Sequence, residues 1–281
     1  MKNKRYWTGL LLFGVTLFSI KAQEKVRYKQ VDTVQLFLEI HRPEHKVSSE
    51  KYPAMIFFFG GGWKGGDRHH FLNHAQYFSK RGLVCFLADY RTENKHGTTP
   101  FESLKDAKSA MRYIRKHAAE LGIDPNKIIA SGGSAGGHLA AATALINPYN
   151  ETTDDTSISC RPRALVLFNP VIDNGPRGYG HERIGAAYKD FSPLHNIKEG
   201  APPTILFLGT RDKLIPVATA QYYQKVMQEV GSTCTLKLYQ EAGHGFFNYG
   251  NFDHYQSTVL EADAFLRSLG LLKPGPKVKI Q

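Results

Sequence analysis

Hydrophobic and polar residues alternate over 35–41, placing Leu36, Leu38 and Ile40 on one side, the pattern of a half-exposed strand near a sheet edge. Residues 54–59 are apolar throughout, as a strand buried on both faces requires. Short β-rich runs recur at 83–88, 127–130, 164–168, 204–208 and 235–239. Between them the apolar spacing lengthens to that of a helix at 101–121, 135–146, 217–230 and 253–269. In the first of these, Leu104, Ala107, Met111, Ile114 and Ala118 recur at spacings of three and four, so one face is apolar. This alternation predicts an α/β fold, a mostly parallel, doubly wound sheet flanked by helices. Right-handed crossovers gather the C-terminal ends of its strands along one rim, where such sheets bind ligands. No repeat or linker interrupts the pattern, which predicts a single domain over residues 23–272.

The ends of the chain read differently. Lys2, Lys4 and Arg5 precede an apolar run over 10–20, and Ala22 stands where a signal peptidase prefers a small residue. The run is short for a bilayer span, so residues 1–22 are expected to be a cleaved signal peptide. A secreted or periplasmic protein without stable membrane insertion follows. The formal charge of +11 falls to about +7 once Lys2, Lys4, Arg5 and Lys21 leave with it. Residues 273–281, with Lys273, Lys277 and Lys279 among Pro and Gly, read as a frayed basic tail. The positive excess suits solubility or an acidic polymer, and no zinc-finger, RNA-binding or helix-turn-helix signature points to nucleic acid. Three cysteines cannot form a disulfide framework. Cys85 reads as a buried thiol within an apolar run, whereas Cys160 and Cys234 could pair in an oxidising compartment.

Candidate chemistry concentrates at Gly132-Gly133-Ser134-Ala135-Gly136. A short apolar strand precedes this Gly-x-Ser-x-Gly and an Ala-rich helix follows at once, the context the motif demands. A serine on so sharp a turn projects its hydroxyl clear of the sheet, and glycine at either side leaves room for it. The same turn aims the Ala135 N–H and the helix N-terminus at the site, where an oxyanion would be stabilised. Ser134 is therefore the candidate nucleophile.

Such a serine needs a base, and the base an orienting carboxylate. Asp212 stands in the turn after the run at 204–208, and His244, between Gly243 and Gly245, follows the run at 235–239. Glu241 and Asp253 are weaker candidates for the acid. After the buried run at 54–59, Gly60-Gly61-Gly62 lets backbone N–H groups approach a developing oxyanion. No Lys-Ser/Thr follows these glycines, so they are not a P-loop.

With these segments assembled, the chain resembles the acetyl-esterase and hormone-sensitive-lipase-like branch of the α/β hydrolases, which includes secreted bacterial carbohydrate esterases. The resemblance is carried by Gly60-Gly61-Gly62-Trp63, Asp89-Tyr90-Arg91, Gly122-Ile123-Asp124-Pro125, Gly132 to Ala140, Gly209-Thr210-Arg211-Asp212 and Gly243-His244-Gly245-Phe246-Phe247. It implies the α/β-hydrolase fold and oxyanion donors at Gly61, Gly62 and Ala135. Structural roles are implied for Asp89 and Arg91, and His138 is expected to pack behind the nucleophile. The family usually opens the glycine loop with histidine. Here Phe59 takes that place, and it is expected to brace the loop by packing.

The implied reaction is ester hydrolysis through an acyl-enzyme, with no metal and no cofactor. About 30 residues separate the end of one strand near Ile172 from the next at Thr204, enough to wall a pocket and too few for a large cap. With Trp63 beside the glycines as a further pocket wall, a small or absent cap suits a short acyl group on a bulky alcohol. An acetylated or feruloylated carbohydrate, polymeric or small, is the expected substrate. The competing readings are a non-catalytic binding relative, or a lipase or peptidase with non-carbohydrate substrates.

Overall fold

The computed structural model describes residues 24–44, 51–275 and 278–280; the leader read at 1–22 lies outside them. Eight strands form one sheet among these residues: β1 (Glu24–Val31), β2 (Val34–His41), β3 (Tyr52–Phe58), β4 (Val84–Ala88), β5 (Ile123–Gly133), β6 (Ala164–Phe168), β7 (Thr204–Gly209) and β8 (Cys234–Tyr239). Their order is β1-β2-β4-β3-β5-β6-β7-β8. β1 and β2 are antiparallel to their neighbours, and every pairing from β4 through β8 is parallel.

Successive residues of a strand face opposite sides of the sheet, so continuous apolar runs require cover on both sides. Ala54, Ile56 and Phe58 of β3 pack on one face, and Met55 and Phe57 on the other. The first face is covered by α2 (Pro100–Lys116), α3 (Ala135–Leu145) and α4 (Val217–Glu229), the second by α1 (Leu72–Lys80) and α5 (Phe252–Ser268). Each fully buried Leu, Ile or Phe in these layers contributes about 2 kcal/mol over an exposed one. α2 starts at a capping box, Thr99 with Glu102, and has Pro100 in its first turn. α3 has all eleven residues buried, which its alanines permit by letting the helix lie close against the sheet. No helix among the described residues is long and apolar enough to cross a membrane.

Two elements are absent from the sequence reading. α1 has only nine residues, and β1 carries charged residues at Glu24, Lys25, Arg27 and Lys29. A register shift between Arg27 and Lys29 turns both Tyr28 and Lys29 inward, which no strict alternation would show. The helix expected over 101–121 ends at Lys116, with a separate turn at Ala118–Leu121 closed by Gly122 at φ +70°.

Lys29 reaches Asp106 at 2.6 Å and Glu151 at 2.8 Å, and Arg91 meets the same Asp106 through two bonds of 2.8 Å. Asp106 is wholly buried, so its charge is tolerable only because two cations and the Arg91 N–H face it. Asp89 accepts from Arg68 at 2.8 Å and from the Phe37 N–H at 3.2 Å. Both residues thus hold the first strands and α2 to the sheet. Cys160 and Cys234 are free thiols rather than a pair. The C-terminal residues do not simply fray: Val278 and Ile280 pack against the second apolar layer, and Arg81 donates to the Lys273 carbonyl.

His74 on α1 is buried among Phe57, Phe71, Phe168, Phe247 and Tyr255, and neither ring nitrogen has a partner among the described residues. Burial, with a smaller contribution from nearby His70, pushes its pKa down to about 3. The unfolded chain protonates this imidazole below its ordinary value of 6.5, whereas the folded chain does not until about 3. Stability due to His74 is therefore present above pH 6.5 and is lost as the pH falls through that window. Urea unfolding from pH 7 to 5 should show His74→Phe losing less stability than the wild type, the slopes differing by about 1 kcal/mol per pH unit below 6.5. Parallel pH dependences would show that His74 is not titrated on unfolding.

Candidate active site

β5 runs directly into Ser134, and α3 begins at the next residue. Ser134 sits at φ +53°, ψ −119°, a backbone conformation that L residues rarely adopt. Its neighbours explain how the turn closes so tightly. A Cβ on Gly132 would stand 2.3 Å from the Gly136 carbonyl oxygen, and one on Gly136 would stand 2.0 Å from that of Phe58. The glycines are there because backbone occupies the space of a side chain. The Ser134 N–H donates to Phe168 O at 3.0 Å, tying the turn to the end of β6.

The ends of β7 and β8 supply the other two groups. Arg211 N–H donates to Ala242 O at 2.9 Å, and Thr210 N–H to Tyr239 O at 2.9 Å, so the two rim loops are laced together by backbone. Asp212 Oδ1 accepts from the N–H groups of Leu214 and Ile215 at 2.8 and 3.0 Å. Its Oδ2 lies 2.7 Å from His244 Nδ1, and His244 Nε2 lies 3.0 Å from Ser134 Oγ. An ionised carboxylate only accepts, which places the imidazole proton on Nδ1 and leaves the Nε2 lone pair facing the serine hydroxyl. The structure thus brings Ser134, His244 and Asp212 into one relay. Glu241 points elsewhere, paired with Arg211 on the surface, and Asp253 lies in the first turn of α5.

Gly61, at φ +124°, and Gly62, at φ +63°, line the cleft that opens over Ser134. Among the described residues, the N–H groups of Gly61, Gly62 and Ala135 donate to no protein acceptor, and Ala135 heads α3, where a helix leaves its amides free. Phe59 stacks on Tyr90 with ring centroids 4.0 Å apart, the packing expected where the family has histidine. His138 is buried beneath the turn and its Nε2 bonds to the Phe191 carbonyl at 2.9 Å.

Trp63 requires correction as a wall of the substrate pocket. Its φ of +58° turns the indole away from the cleft, and it is fully buried against His138, Tyr179 and Phe191. Tyr179, from the segment between β6 and β7, lines the cleft instead, together with Leu214, Phe247 and His70. Arg183 of the same segment donates to the Gly62 carbonyl at 2.5 Å, latching it onto the glycine loop. The cleft holds about 360 Å³. That segment forms only short helical turns, at His181–Ile184, Gly185–Ala187, Tyr188–Phe191 and Pro193–Asn196, in place of a large cap.

Asn169 is a second residue that the sequence reading passes over. It follows β6 at φ +32°, fully buried, with Oδ1 accepting from the Gly245 N–H at 3.0 Å and Nδ2 3.3 Å from His244 Nε2. Its place at the C-terminal end of a central strand, on the rim where ligands bind, is the signal that could have found it.

The arrangement can deprotonate a serine hydroxyl and hold a negative oxygen beside it, which is the equipment of acyl transfer. Known proteins with similar chains bear on that chemistry. The BD-FAE family model matches residues 38–176, and that of the dienelactone hydrolase family residues 179–274. The structure of Thermogutta terrifontis esterase 2 phosphoramylated by tabun is 43% identical, with a TM-score of 0.86 over 90% of this chain and 97% of that one. The same esterase with propionate bound is 41% identical, with a TM-score of 0.85 over 92% and 98% of the two chains. An acetylxylan esterase of Xylanibacter ruminicola is 26% identical over 99% of this chain and 56% of its own length. The chain spans about half the length of the curated relatives it matches.

Proposed function

Because this chain belongs to the α/β-hydrolase esterases, we propose that it is a serine carboxylester hydrolase that removes short acyl groups, acetyl above all, from carbohydrate alcohols. The observation that carries the reaction is the relay of 2.7 and 3.0 Å from Asp212 through His244 to Ser134, set beside a glycine loop with free amides. Ser134 Oγ attacks the ester carbonyl as its proton passes to His244 Nε2. The carbonyl oxygen takes the negative charge against the N–H groups of Gly61, Gly62 and Ala135. As the tetrahedral centre collapses, the C–O bond to the alcohol breaks and the alkoxide leaves with the proton from Nε2. Water then gives a proton to Nε2 and attacks the acyl-serine, and Ser134 regains its proton as the carboxylic acid departs.

The cleft supports a small acyl group. Tyr179 and Leu214 flank a space of about 360 Å³, and no long apolar lid continues from it among the described residues. Each methylene that enters an apolar pocket adds about 0.8 kcal/mol, or roughly fourfold in binding, and one left in water adds nothing. Along p-nitrophenyl esters from acetate to decanoate, kcat/KM should peak at two to four carbons, roughly, and gain nothing beyond. A maximum at octanoate or longer would remove the short-acyl assignment. The carbohydrate alcohol is supported by the similarity to an acetylxylan esterase, and by the positive charge, which would draw the protein to acidic polymers. Acetate release from acetylated xylan tests it; turnover of p-nitrophenyl acetate without release from any glycan would leave the esterase and remove the sugar. Export fits the basic and apolar pattern of residues 1–22, and cell fractionation with N-terminal sequencing tests that reading.

A further inference from the structure

The first peptide unit of the glycine loop is held at both ends. Its carbonyl, on Phe59, accepts from the Tyr90 hydroxyl at 2.8 Å, and its N–H, on Gly60, donates to His70 Nδ1 at 3.1 Å. An amide N–H can only donate, so Nδ1 is bare and the neutral ring carries its proton on Nε2. Nε2 lies 2.6 Å from Asn248 Oδ1, which therefore accepts. Asn248 belongs to the loop that carries the base: its N–H donates to Gly245 O at 3.1 Å, and the Gly245 N–H is itself held by Asn169. One imidazole thus joins the loop carrying Gly61 and Gly62 to the loop carrying His244.

The ring is fixed in its plane by packing, with Phe71 at 4.8 Å and Phe247 at 5.7 Å between centroids. It also stands close to the reacting centre. A Cβ placed on Gly60 would lie 3.3 Å from His70 Cε1 and 3.5 Å from Ser134 Cβ. A swing of the Phe59–Gly60 peptide would move the Gly61 and Gly62 amides that follow it, and misplaced donors lose transition-state stabilisation more than substrate binding. Phe59 stacks on Tyr90 but has no polar atom with which to hold this peptide, which leaves the N–H end to His70.

We infer that His70 is a positioning residue for ester hydrolysis, clamping the oxyanion loop to the base-carrying loop through Gly60 N–H and Asn248 Oδ1. This rests on the esterase reading above. His70→Phe keeps a ring and removes both bonds, whereas His70→Asn keeps an acceptor at the δ position. With p-nitrophenyl acetate, His70→Phe should lower kcat about tenfold to a hundredfold while KM stays within roughly threefold, less than the loss of a whole oxyanion donor. His70→Asn should recover most of kcat. Amide exchange over residues 57–66, read by mass spectrometry, should quicken in His70→Phe and return toward wild type in His70→Asn.

Wild-type kcat and exchange in His70→Phe would overturn the clamp, as would equal damage in both variants or a loss confined to KM. If His70→Phe does not fold, Asn248→Leu, which removes the other end of the bridge, should show the same kcat loss and faster exchange in smaller measure. Unchanged values there would overturn the clamp as well. Ser134→Ala run in parallel separates the two failures. Activity surviving in it defeats Ser134 as the nucleophile of the mechanism above, and the exchange comparison still decides the clamp.

Discussion

Ser134→Ala is expected to reduce kcat for p-nitrophenyl acetate by about 10⁶-fold while the protein remains folded. The loss is large because alanine leaves no atom to form the acyl bond, and His244 and the glycine loop alone cannot replace it. Residual catalysis over water, about 10³-fold, comes from the oxyanion amides and from binding. The folded state should survive, since the substitution removes one oxygen from a turn whose shape is set by Gly132 and Gly136 and by the Ser134 N–H bond to Phe168. Alanine does meet the same positive φ as serine, so no new backbone strain enters. The checks are steady-state kinetics on purified protein and a thermal melt. A folded variant within tenfold of wild type would mean that another group attacks the ester.

The second large effect is expected at Asp212. Its Oδ2 fixes the His244 proton on Nδ1 from 2.7 Å, while Oδ1 is held by two backbone amides. Asp212→Asn keeps the shape and presents either an amide N–H or a weaker acceptor, so the imidazole loses its proper tautomer. The corresponding change in a serine protease costs about 10⁴-fold in kcat, and a loss of that order is expected here. Glu241→Gln is the matched control. Glu241 is exposed and paired with Arg211, and an exposed pair contributes at most about 1 kcal/mol to stability, so its loss should leave kcat within about twofold. If Glu241→Gln were the crippled variant and Asp212→Asn the active one, the relay would have been assigned to the wrong carboxylate.

Much of this architecture was legible because its signals are local. The turn at Ser134 announces itself within five residues, since the crowding that demands Gly132 and Gly136 comes from the turn itself and the adjacent β3 carbonyls. Asp212 and His244 could be located from the ends of β7 and β8, because strand ends on one rim converge whatever the loops contain. What escaped notice depends on contacts distant in the chain or on the hand of one residue. His70 meets Asn248 across 178 positions, and nothing in Arg68-His69-His70 separates the bridging imidazole from its neighbour. Asn169 carries no motif. Trp63 stands next to Gly62 in sequence, but its positive φ sends the indole inward, and adjacency could not reveal that. β1 hid behind its charges, since one register shift brings Lys29 inside to meet Asp106.

The close approaches of backbone at the rim also bear on how such a chain can diverge. A Cβ on Gly209 would lie 2.2 Å from the Ala242 carbonyl oxygen, so even the smallest side chain there would push the Asp212 loop away from the His244 loop. Tyr179 and Leu214, by contrast, face open space across the cleft and are bounded by no such contact with the relay. Heritable variation is thus channelled: such close contacts admit almost none, whereas the cleft-facing side chains of Tyr179 and Leu214 can be exchanged with the relay left in place, so long as Arg183 keeps its hold on the Gly62 carbonyl. A lineage built on this scaffold can acquire new esters by redrawing one wall, without passing through an inactive ancestor.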